Sequence, residues 1–371
     1  MFGIPPLPSH NSDTIAALLW SREVLQKHNA MKYEVKDVKG IEELKSVNIG
    51  GVDQWLHIRG RNRANPVLLY LHGGPGSSHI GWMDAIQRPW EDYFTVVQWD
   101  QRQTGKSYYQ ADDIESPLTL SRFVEDSSEM VRYLLNYLDK EKMFLLGHSW
   151  GSVLGMHIVN SNPEWLYAYI GVGQVVSWKQ NEQMLFERLL AHTKRLEEGE
   201  LEKKLESISP YLDPEFPEKS FVENTCFLRE ELSRLAGETM MHNYSSDEAI
   251  QLAKFDQLIS PHLTLTDIFN STFGDDIALF RYPNPLIADF VNIDLPAQIG
   301  STFEVPIFFF TGAHDWHTPK VLSDQWLDQI NAPHKELIEF EESSHYVVNE
   351  EPGKVLLSLV NKVLPFSQSE K

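Results

Sequence analysis

Short apolar runs alternate with helical patterns through the first half of the chain, and this alternation limits the possible folds more than any other feature. The runs Val67–Leu71, Thr95–Trp99, Met143–Leu146 and Tyr169–Val172 are bounded by glycine or polar residues. Strands that are buried on both faces have this composition. The helical pattern Thr119–Lys140 lies between two of them. The sequence therefore predicts a mostly parallel α/β sheet with helices on both faces.

Further elements extend the alternation along the chain. Val52–Ile58 alternates apolar and polar residues, as a half-buried strand does. Two more strands are predicted near the C-terminus, at Val305–Thr311 and Glu336–Phe340. The remaining core helices are predicted at Ser152–Asn160 and Lys354–Leu364.

A long segment in the middle of the chain interrupts this pattern. From near Ser177 to about Gly300 no buried strand is recognisable, and Met184–Leu196 and Glu200–Ile208 are amphipathic and densely charged. The segment holds 22 acidic and 11 basic residues, about half of the chain's net charge of −21. An insertion of this kind is expected over the carboxyl ends of the strands, where open α/β sheets bind ligands. We therefore predict an N-terminal tail and helix (1–30), a first core part (31–176), a helical lid (177–300) and a second core part (301–371).

Charge and cysteine content argue against several classes of function. The chain has 371 residues, with 53 acidic against 32 basic residues and a single cysteine. The negative field repels nucleic acids and anionic lipids, and one cysteine cannot form an intrachain disulfide or a zinc–thiolate cluster. The longest apolar run, Val305–Phe310, is far shorter than a membrane span, and the first residues do not resemble a secretory signal. We therefore expect a cytoplasmic protein without nucleic-acid or membrane partners, and the sequence leaves its oligomeric state open.

The pentapeptide Gly147–Gly151 reads G-H-S-W-G, follows a predicted strand and begins a predicted helix. A G-x-S-x-G turn in this setting is a nucleophile elbow, so sharp that only small residues fit two positions before and after the serine. The turn exposes the Ser149 hydroxyl and directs the amide groups of the helix N-terminus at developing negative charge. The alternative interpretation is a glycine-rich turn without chemistry.

A glycine-rich loop, His72–Gly76, follows the first of the buried strands. Its adjacent glycines allow backbone amides to approach a substrate oxygen, as in an oxyanion hole. We assign the oxyanion donors to the N–H groups of Gly74 and Trp150, and we expect Gly73 to contact the substrate. We expect the ring N–H of His72 to support the loop. The alternative is a tight loop that needs only positive φ angles.

Two other glycine motifs fail as cofactor sites. Asp100–Ser107 ends like a phosphate-binding P-loop, but Asp100 stands where the first glycine is required. The segment 171–176 lacks the third glycine of a dinucleotide fingerprint, because residue 176 is valine. We therefore expect no cofactor, and we interpret Asp100 and Arg102 as a buried ion pair that braces the site loops.

A serine nucleophile needs a histidine base and an acid that orients the base. Asp315 directly follows one predicted C-terminal strand, and His345 follows the next. The chain order serine, acid, histidine is that of the α/β-hydrolase arrangement. Because the carboxyl ends of parallel strands meet at one edge of a sheet, we expect Asp315 and His345 to converge on Ser149.

Other histidines near these positions have simpler interpretations. His148 is expected to pack beside the turn and to point away from Ser149. His314 and His317 flank Asp315, but no third ligand is spaced to join them, so no metal site is expected.

These motifs together resemble those of the proline iminopeptidase branch of the α/β-hydrolases. The resemblance rests on HGGPG, D-Q-R-x-x-G-x-S, G-x-S-W-G-S and a late G-x-x-D followed by S-x-H, and it covers about 52–176 and 305–363. It implies an α/β-hydrolase fold with a lid, a triad of Ser149, Asp315 and His345, and no cofactor. It also implies release of an N-terminal residue, often proline, from a short peptide or an amide. This chain departs from the family by having Gln103 and His148 where glycine is usual.

The resemblance also directs attention to acidic residues of the lid, because iminopeptidases bind the free amine of the substrate with lid carboxylates. Glu223, Glu230 and Glu231 are candidates, and a solvated helix face is the alternative interpretation for each. The same triad also serves esterases, lactonases and amidases of small molecules, so an ester or amide substrate stays open beside a peptide. A non-catalytic binding protein on a hydrolase scaffold is the third possibility.

Overall fold

The strands that the structure describes form one sheet, which is buried at its centre. The computed structural model describes residues 14–108, 118–236, 240–242, 246–270 and 285–368, so the predicted tail before residue 14 lies outside the described residues. The strands, in chain order, are β1 (Ile41–Ile49), β2 (Val52–Gly60), β3 (Val67–Leu71), β4 (Thr95–Asp100), β5 (Met143–His148), β6 (Leu166–Val172), β7 (Ile307–Gly312) and β8 (Lys335–Phe340).

The strand order across the sheet is β1-β2-β4-β3-β5-β6-β7-β8. From β4 to β8 all neighbours run parallel, whereas β2 is antiparallel to both β1 and β4. The β1–β2 hairpin turns at Gly50 and Gly51, whose φ angles of 58° and 81° are left-handed, as a two-residue turn with two positive φ angles requires. Strand β1 was missed by the sequence analysis.

Successive residues of the central strands pack into different cores on the two faces of the sheet. In β3, Leu69 and Leu71 belong to one hydrophobic cluster, and Leu68 and Tyr70 belong to the other. All four side chains are fully buried. A strand that meets apolar neighbours on both faces carries a continuous apolar run, which explains why β3 was recognisable in the sequence.

Helices cover both faces. In chain order they are α1 (Thr14–Tyr33), α2 (Asp84–Gln87), α3 (Leu120–Leu138), α4 (Trp150–Ser161), α5 (Trp178–Arg195), α6 (Gly199–Ser207), α7 (Pro217–Ala236), α8 (Ser246–Ile259), α9 (Leu265–Phe269), α10 (Pro285–Val291), α11 (Leu295–Ile299), α12 (Lys320–Gln329), α13 (Val347–Glu350) and α14 (Pro352–Ser358). The chain continues from α14 as one π-helical turn, Leu359–Val363. Of the helices that the structure describes, none combines the length and apolar character of a membrane-crossing segment.

Helices α5 to α11 lie between β6 and β7 in the chain, and we call this region the insertion. It contacts the loops that follow the last two strands. The Met240 carbonyl accepts hydrogen bonds from the amides of His345 and Tyr346, and Asn181 Nδ2 donates to the His317 carbonyl over 2.9 Å. These observations confirm the predicted fold class, a mostly parallel sheet interrupted by a helical insertion beside the carboxyl ends of its strands. The predicted segment boundaries stay predictions.

Candidate active site

The backbone of Ser149 is held in an unusual conformation between β5 and α4. Its φ and ψ angles are 53° and −118°, a region that residues with side chains rarely occupy. The flanking glycines permit the turn: a Cβ on Gly147 would lie 2.5 Å from the Gly151 carbonyl oxygen, and one on Gly151 would lie 2.1 Å from the Leu71 carbonyl oxygen. The steric requirement predicted for these two positions is therefore present.

Hydrogen bonds from neighbouring segments hold this turn. The Ser149 amide donates to the Val172 carbonyl at the end of β6, over 2.9 Å. The Ser152 hydroxyl donates back to the Ser149 carbonyl and accepts the Val175 amide at 3.0 Å. Strain of about 1–3 kcal/mol persists only where surrounding contacts over-determine a residue, and these bonds supply that constraint.

Asp315 and His345 follow β7 and β8 and meet as a buried pair. His345 Nδ1 lies 2.8 Å from Asp315 Oδ2, and the residues are only 2% and 4% exposed. The second carboxylate oxygen, Oδ1, accepts the amides of His317 and Thr318, and the Thr318 hydroxyl donates to Oδ2. Burial alone would raise the pKa of Asp315, but the neighbouring histidines and Thr318 lower it to about 2. The ionised carboxylate can only accept, so His345 Nδ1 carries a proton and Nε2 is the basic nitrogen of the neutral ring.

The turn after β6 brings Ser149 and His345 to the same place. Val172 binds the Ser149 amide, and the next residue, Gly173, has a φ of 53°. A Cβ on Gly173 would lie 3.0 Å from His345 Cε1, so glycine is needed for the imidazole to fit. Among the described side chains no hydrogen bond joins Ser149 Oγ to His345, a contact that in unliganded enzymes often tightens only with substrate bound.

The loop after β3 lies directly against Ser149. A Cβ on Gly73 would lie 3.2 Å from Ser149 Cβ. Gly74 has a φ of 110°, and a Cβ there would lie 2.5 Å from the Gly76 amide nitrogen. Trp150 is the first residue of α4, where backbone amides have no partner within the helix. The backbone therefore places Gly73, Gly74 and Trp150 around Ser149.

His72 and Gln101 brace this loop against α4. The Gln101 amide donates to His72 Nε2 over 3.1 Å, so Nδ1 carries the ring proton and donates to the Gly73 carbonyl over 2.8 Å. The predicted support by the His72 ring N–H is confirmed. Gln101 Nε2 also donates to the His72 carbonyl, and its Oε1 accepts Trp150 Nε1 at 3.1 Å. Burial lowers the pKa of His72 to about 4, so the ring stays neutral in this network at pH 7.

The predicted ion pair between Asp100 and Arg102 is wrong. Arg102 instead pairs with Asp126 of α3, with Nε 2.6 Å from Oδ2. Asp100 accepts the Ser78 hydroxyl at 2.6 Å and the Lys106 amide at 2.9 Å. Burial raises the pKa of Asp100 to about 7. The physical reason is that α3 presents a carboxylate to Arg102, a partner 24 residues away that spacing along the chain does not reveal.

Three other histidines near the predicted site have different surroundings. His148 is buried as predicted but does not point away from the site: its ring lies 4.9 Å from the His345 ring, and its Nε2 lies 3.1 Å from the His345 carbonyl oxygen. His314 stacks on His242 of the insertion at 3.6 Å, and the His317 ring lies 5.4 Å from the His345 ring.

The candidate acids of the lid lie on α7 away from its buried face. Glu223 and Glu230 are exposed, and Glu223 lies 3.7 Å from Lys219. Glu231 is bound to Arg234 at 2.8 Å. The structure therefore does not bring Glu223 and Glu230 into the buried site around His345.

A buried carboxylate in the insertion was missed. Glu182 is fully buried, accepts the Tyr211 hydroxyl at 2.7 Å and forms a two-pronged ion pair with Arg229. Besides burial, the charge of Arg229 lowers the pKa of His317, to about 3, so this pair lies near Asp315 and His345. The signal was available, because Glu182 falls on the apolar stripe of α5 with Trp178 and Leu185.

Comparisons with known proteins agree with this fold. The family model described as alpha/beta hydrolase fold matches residues 66–352. The chain is 30% identical over 322 residues to the probable aminopeptidase YbaC of Bacillus subtilis (strain 168), and the match covers 86% of this chain and 95% of that protein. The chain therefore belongs to the alpha/beta hydrolase fold family.

Two proline iminopeptidases are more distant relatives. The chain is 28% identical over 187 residues to that of Elizabethkingia meningoseptica, which is 49% of this chain and 60% of that protein. The crystal structure of the enzyme from Mycobacterium smegmatis superposes with a TM-score of 0.58 at 19% identity, covering 89% of this chain and all of that one. The second likeness shows the fold alone.

Proposed function

We propose that the chain is a serine hydrolase with Ser149 as nucleophile, His345 as general base and Asp315 as the acid that orients the base. The observation that carries this proposal is the position of the three residues at the ends of β5, β7 and β8, where a serine in a strained conformation and a buried aspartate–histidine pair share one edge of the sheet. The order and roles are those of a Ser–His–Asp triad.

The proposed reaction follows from the protonation states. His345 Nε2 takes the Ser149 proton as Oγ attacks the substrate carbonyl, and Asp315 stabilises the imidazolium that forms. The amides of Gly74 and Trp150 hold the resulting oxyanion. The imidazolium then protonates the leaving group, and water hydrolyses the acyl-enzyme with His345 again as base. No cofactor takes part in this scheme.

A fluorophosphonate probe tests the mechanism directly, because it labels only an activated serine. We expect labelling of the wild type and none of Ser149→Ala. Ser161→Ala is the matched control, because this exposed serine lies at the far end of the same helix, α4. Equal labelling of all three proteins, or no labelling of the wild type, contradicts the proposal.

For the substrate we propose a small peptide or amide from which the enzyme releases the N-terminal residue. Two observations support this: the curated relatives are named aminopeptidase and proline iminopeptidase, and the insertion has a negative charge that attracts a cationic amine. Proline arylamide and its N-acetylated form test the role of the amine. Comparable rates on the two compounds would exclude recognition of the free N-terminus.

The second candidate is a carboxylesterase, amidase or lactonase that uses the same triad. Glu182 favours it, because this buried carboxylate is already bound by Arg229 and Tyr211, and Glu223 and Glu230 are exposed. Short-chain p-nitrophenyl esters assayed beside aminoacyl arylamides separate the candidates. A kcat/KM at least a hundredfold higher for the esters would favour the esterase.

A further inference from the structure

A second cluster of titratable side chains lies where the insertion meets the β1–β2 end of the sheet. It contains Glu42 of β1, His57 of β2, Asp84 of α2 and His262, which follows α8. One potential ligand atom from each of Glu42, His57 and His262 lies within 4.8 Å of the others. The proposed hydrolase mechanism uses none of these four residues.

The distances in this cluster are those of donors around a common centre. His57 Nδ1 lies 3.7 Å from Asp84 Oδ1, and His262 Nε2 lies 3.6 Å from Asp84 Oδ2. Both distances are too long for hydrogen bonds. Two donors bound to one tetrahedral zinc ion at ~2.0–2.1 Å lie roughly 3.3 Å apart. Because His57 and His262 approach different oxygens of Asp84, the Asp84 carboxylate must turn for one of its oxygens to join the Glu42, His57 and His262 ligand atoms on one ion.

His57 lacks the partners that a buried imidazole normally has. The residue is 1% exposed, and in the described structure neither ring nitrogen has a hydrogen-bond partner. Buried polar groups without partners are uncommon in proteins, and a bound ion is one recognised explanation. The imidazole of histidine is also a common metal ligand.

The charge around the cluster favours a cation. Arg59 Nε lies 2.8 Å from Glu91, and another nitrogen of the same guanidinium binds Glu42. The charge of Arg59 also acts on Asp84. Three carboxylates thus share two guanidinium groups, those of Arg59 and of Arg88, which lies 3.4 Å from Glu91 Oε2. A third cation, Lys106, acts on His262 but is itself paired with Asp267 at 2.8 Å. Arg59 also orients Glu42, as outer contacts orient the carboxylate ligands of metal sites.

We propose that Glu42, His57, Asp84 and His262 bind one divalent transition-metal ion of the zinc class, and that this ion fastens the insertion to the sheet. Two imidazoles and two carboxylates form a mixed nitrogen–oxygen donor set that suits zinc. His262 is the ligand from the insertion. Its segment is already held to the core by a hydrogen bond from Lys106 Nζ to the His262 carbonyl at 3.3 Å. The proposal does not depend on the hydrolase mechanism.

Zinc titration of the full chain, after chelator treatment and dialysis, tests the site. His262→Gln and Asp84→Asn remove one ligand each, and His334→Gln is the control, because this partly exposed histidine pairs with Glu336 of β8. We expect one tight equivalent of Zn²⁺ in the wild type and control, and an affinity at least tenfold lower in the two ligand variants. Zn²⁺ should also raise the unfolding temperature of the wild type and the control, but not that of the two ligand variants.

Two results would overturn the proposal: no tight equivalent in the wild type, or equal binding by all four proteins, which would mean adventitious binding to surface histidines. A variant that is too unstable to titrate is replaced by Glu42→Gln, whose side chain is partly exposed. Metal content and unfolding temperature need no substrate, so these results remain interpretable even when Ser149 proves inactive.

Discussion

Carboxylates have opposite surroundings at the sheet edge that carries Ser149 and on helix α7 of the insertion. At the sheet edge, Asp315 is buried and accepts four hydrogen bonds, two from backbone amides and two from side chains. On α7, Glu223 is 59% exposed in its side chain, and among the residues that the structure describes only Lys219 lies within ion-pair distance of it, at 3.7 Å. The first carboxylate is fixed in place and charge state, whereas the second contributes only to a screened surface field.

This difference separates the chemistry from the substrate choice. The position of Asp315 follows from backbone geometry that the whole sheet maintains, so its proposed role should tolerate little change. Exposed charges on α7 can change without affecting the fold. Substrate specificity can therefore vary there at little cost in stability. The experiments below test that separation.

The largest effect is expected from Asp315→Asn, which keeps the shape of the side chain but lets it donate to His345 and so favours the wrong tautomer. We expect kcat to fall by about 10⁴-fold with little change in KM. Asp324→Asn, a partly exposed position on α12, is the control and should retain full activity. The measurement is steady-state kinetics on the best substrate of the panel, and a loss under tenfold would remove Asp315 from the triad.

Within the insertion, Glu182→Gln should be far more harmful than Glu230→Gln. The first change leaves the guanidinium of Arg229 without its buried partner, which costs about 3–5 kcal/mol of unfolding free energy. The second changes an exposed side chain, so the shift should stay within about 0.5 kcal/mol. Urea unfolding measures both, and equal shifts would mean that the Glu182–Arg229 pair has no stabilising role.

Two glycine substitutions, one beside Ser149 and one in the insertion, compare how tightly the two regions are packed. Gly151→Ala places a Cβ 2.1 Å from a backbone oxygen of β3, so we expect a loss of about 3 kcal/mol or more in unfolding free energy, together with lost activity. Gly199 begins α6 of the insertion, and a Cβ there would meet no atom within 4 Å. Gly199→Ala is therefore expected to gain up to about 1 kcal/mol of unfolding free energy. A Gly151→Ala protein as stable as the wild type would contradict the close packing of the elbow.

The sequence predicted the parts of the fold that depend on local pattern. Strand β3 matches its predicted bounds, Val67–Leu71, because burial on both faces leaves an uninterrupted apolar run. Strand β1 was missed, because this edge strand includes Glu42, Glu43 and Lys45 and lacks such a run. The other edge strand, β8, was predicted because its sequence keeps Leu337, Ile338 and Phe340.

The same limit applies to the candidate site. Asp315 and His345 were placed correctly at the ends of adjacent strands because topology brings those ends together. The partners of Arg102 and Glu182 were not predicted, since Asp126 and Arg229 reach them only through the packing of separate helices. Chain order and glycine spacing encode the elbow, whereas helix packing decides the buried ion pairs.

Two buried carboxylates at the sheet edge should differ in how they change the stability of the protein with pH. The folded pKa of Asp315, about 2, is below its usual value of 3.8, so it contributes roughly 2 kcal/mol above pH 4 that is lost as the pH falls toward 2. Asp100 has a folded pKa raised to about 7, mainly by burial, so its contribution has the opposite sign: stability is highest below pH 4 and declines up to pH 7.

The two pH windows do not overlap, so each variant can be compared with the wild type by urea unfolding in its own range. Relative to Asp100→Asn, the wild type should lose stability between pH 4 and 7. Relative to Asp315→Asn, it should lose stability between pH 4 and 2. A flat difference in either window would show that the carboxylate has the same pKa in the folded and unfolded chain, and for Asp315 this would remove the electrostatic basis for its role beside His345.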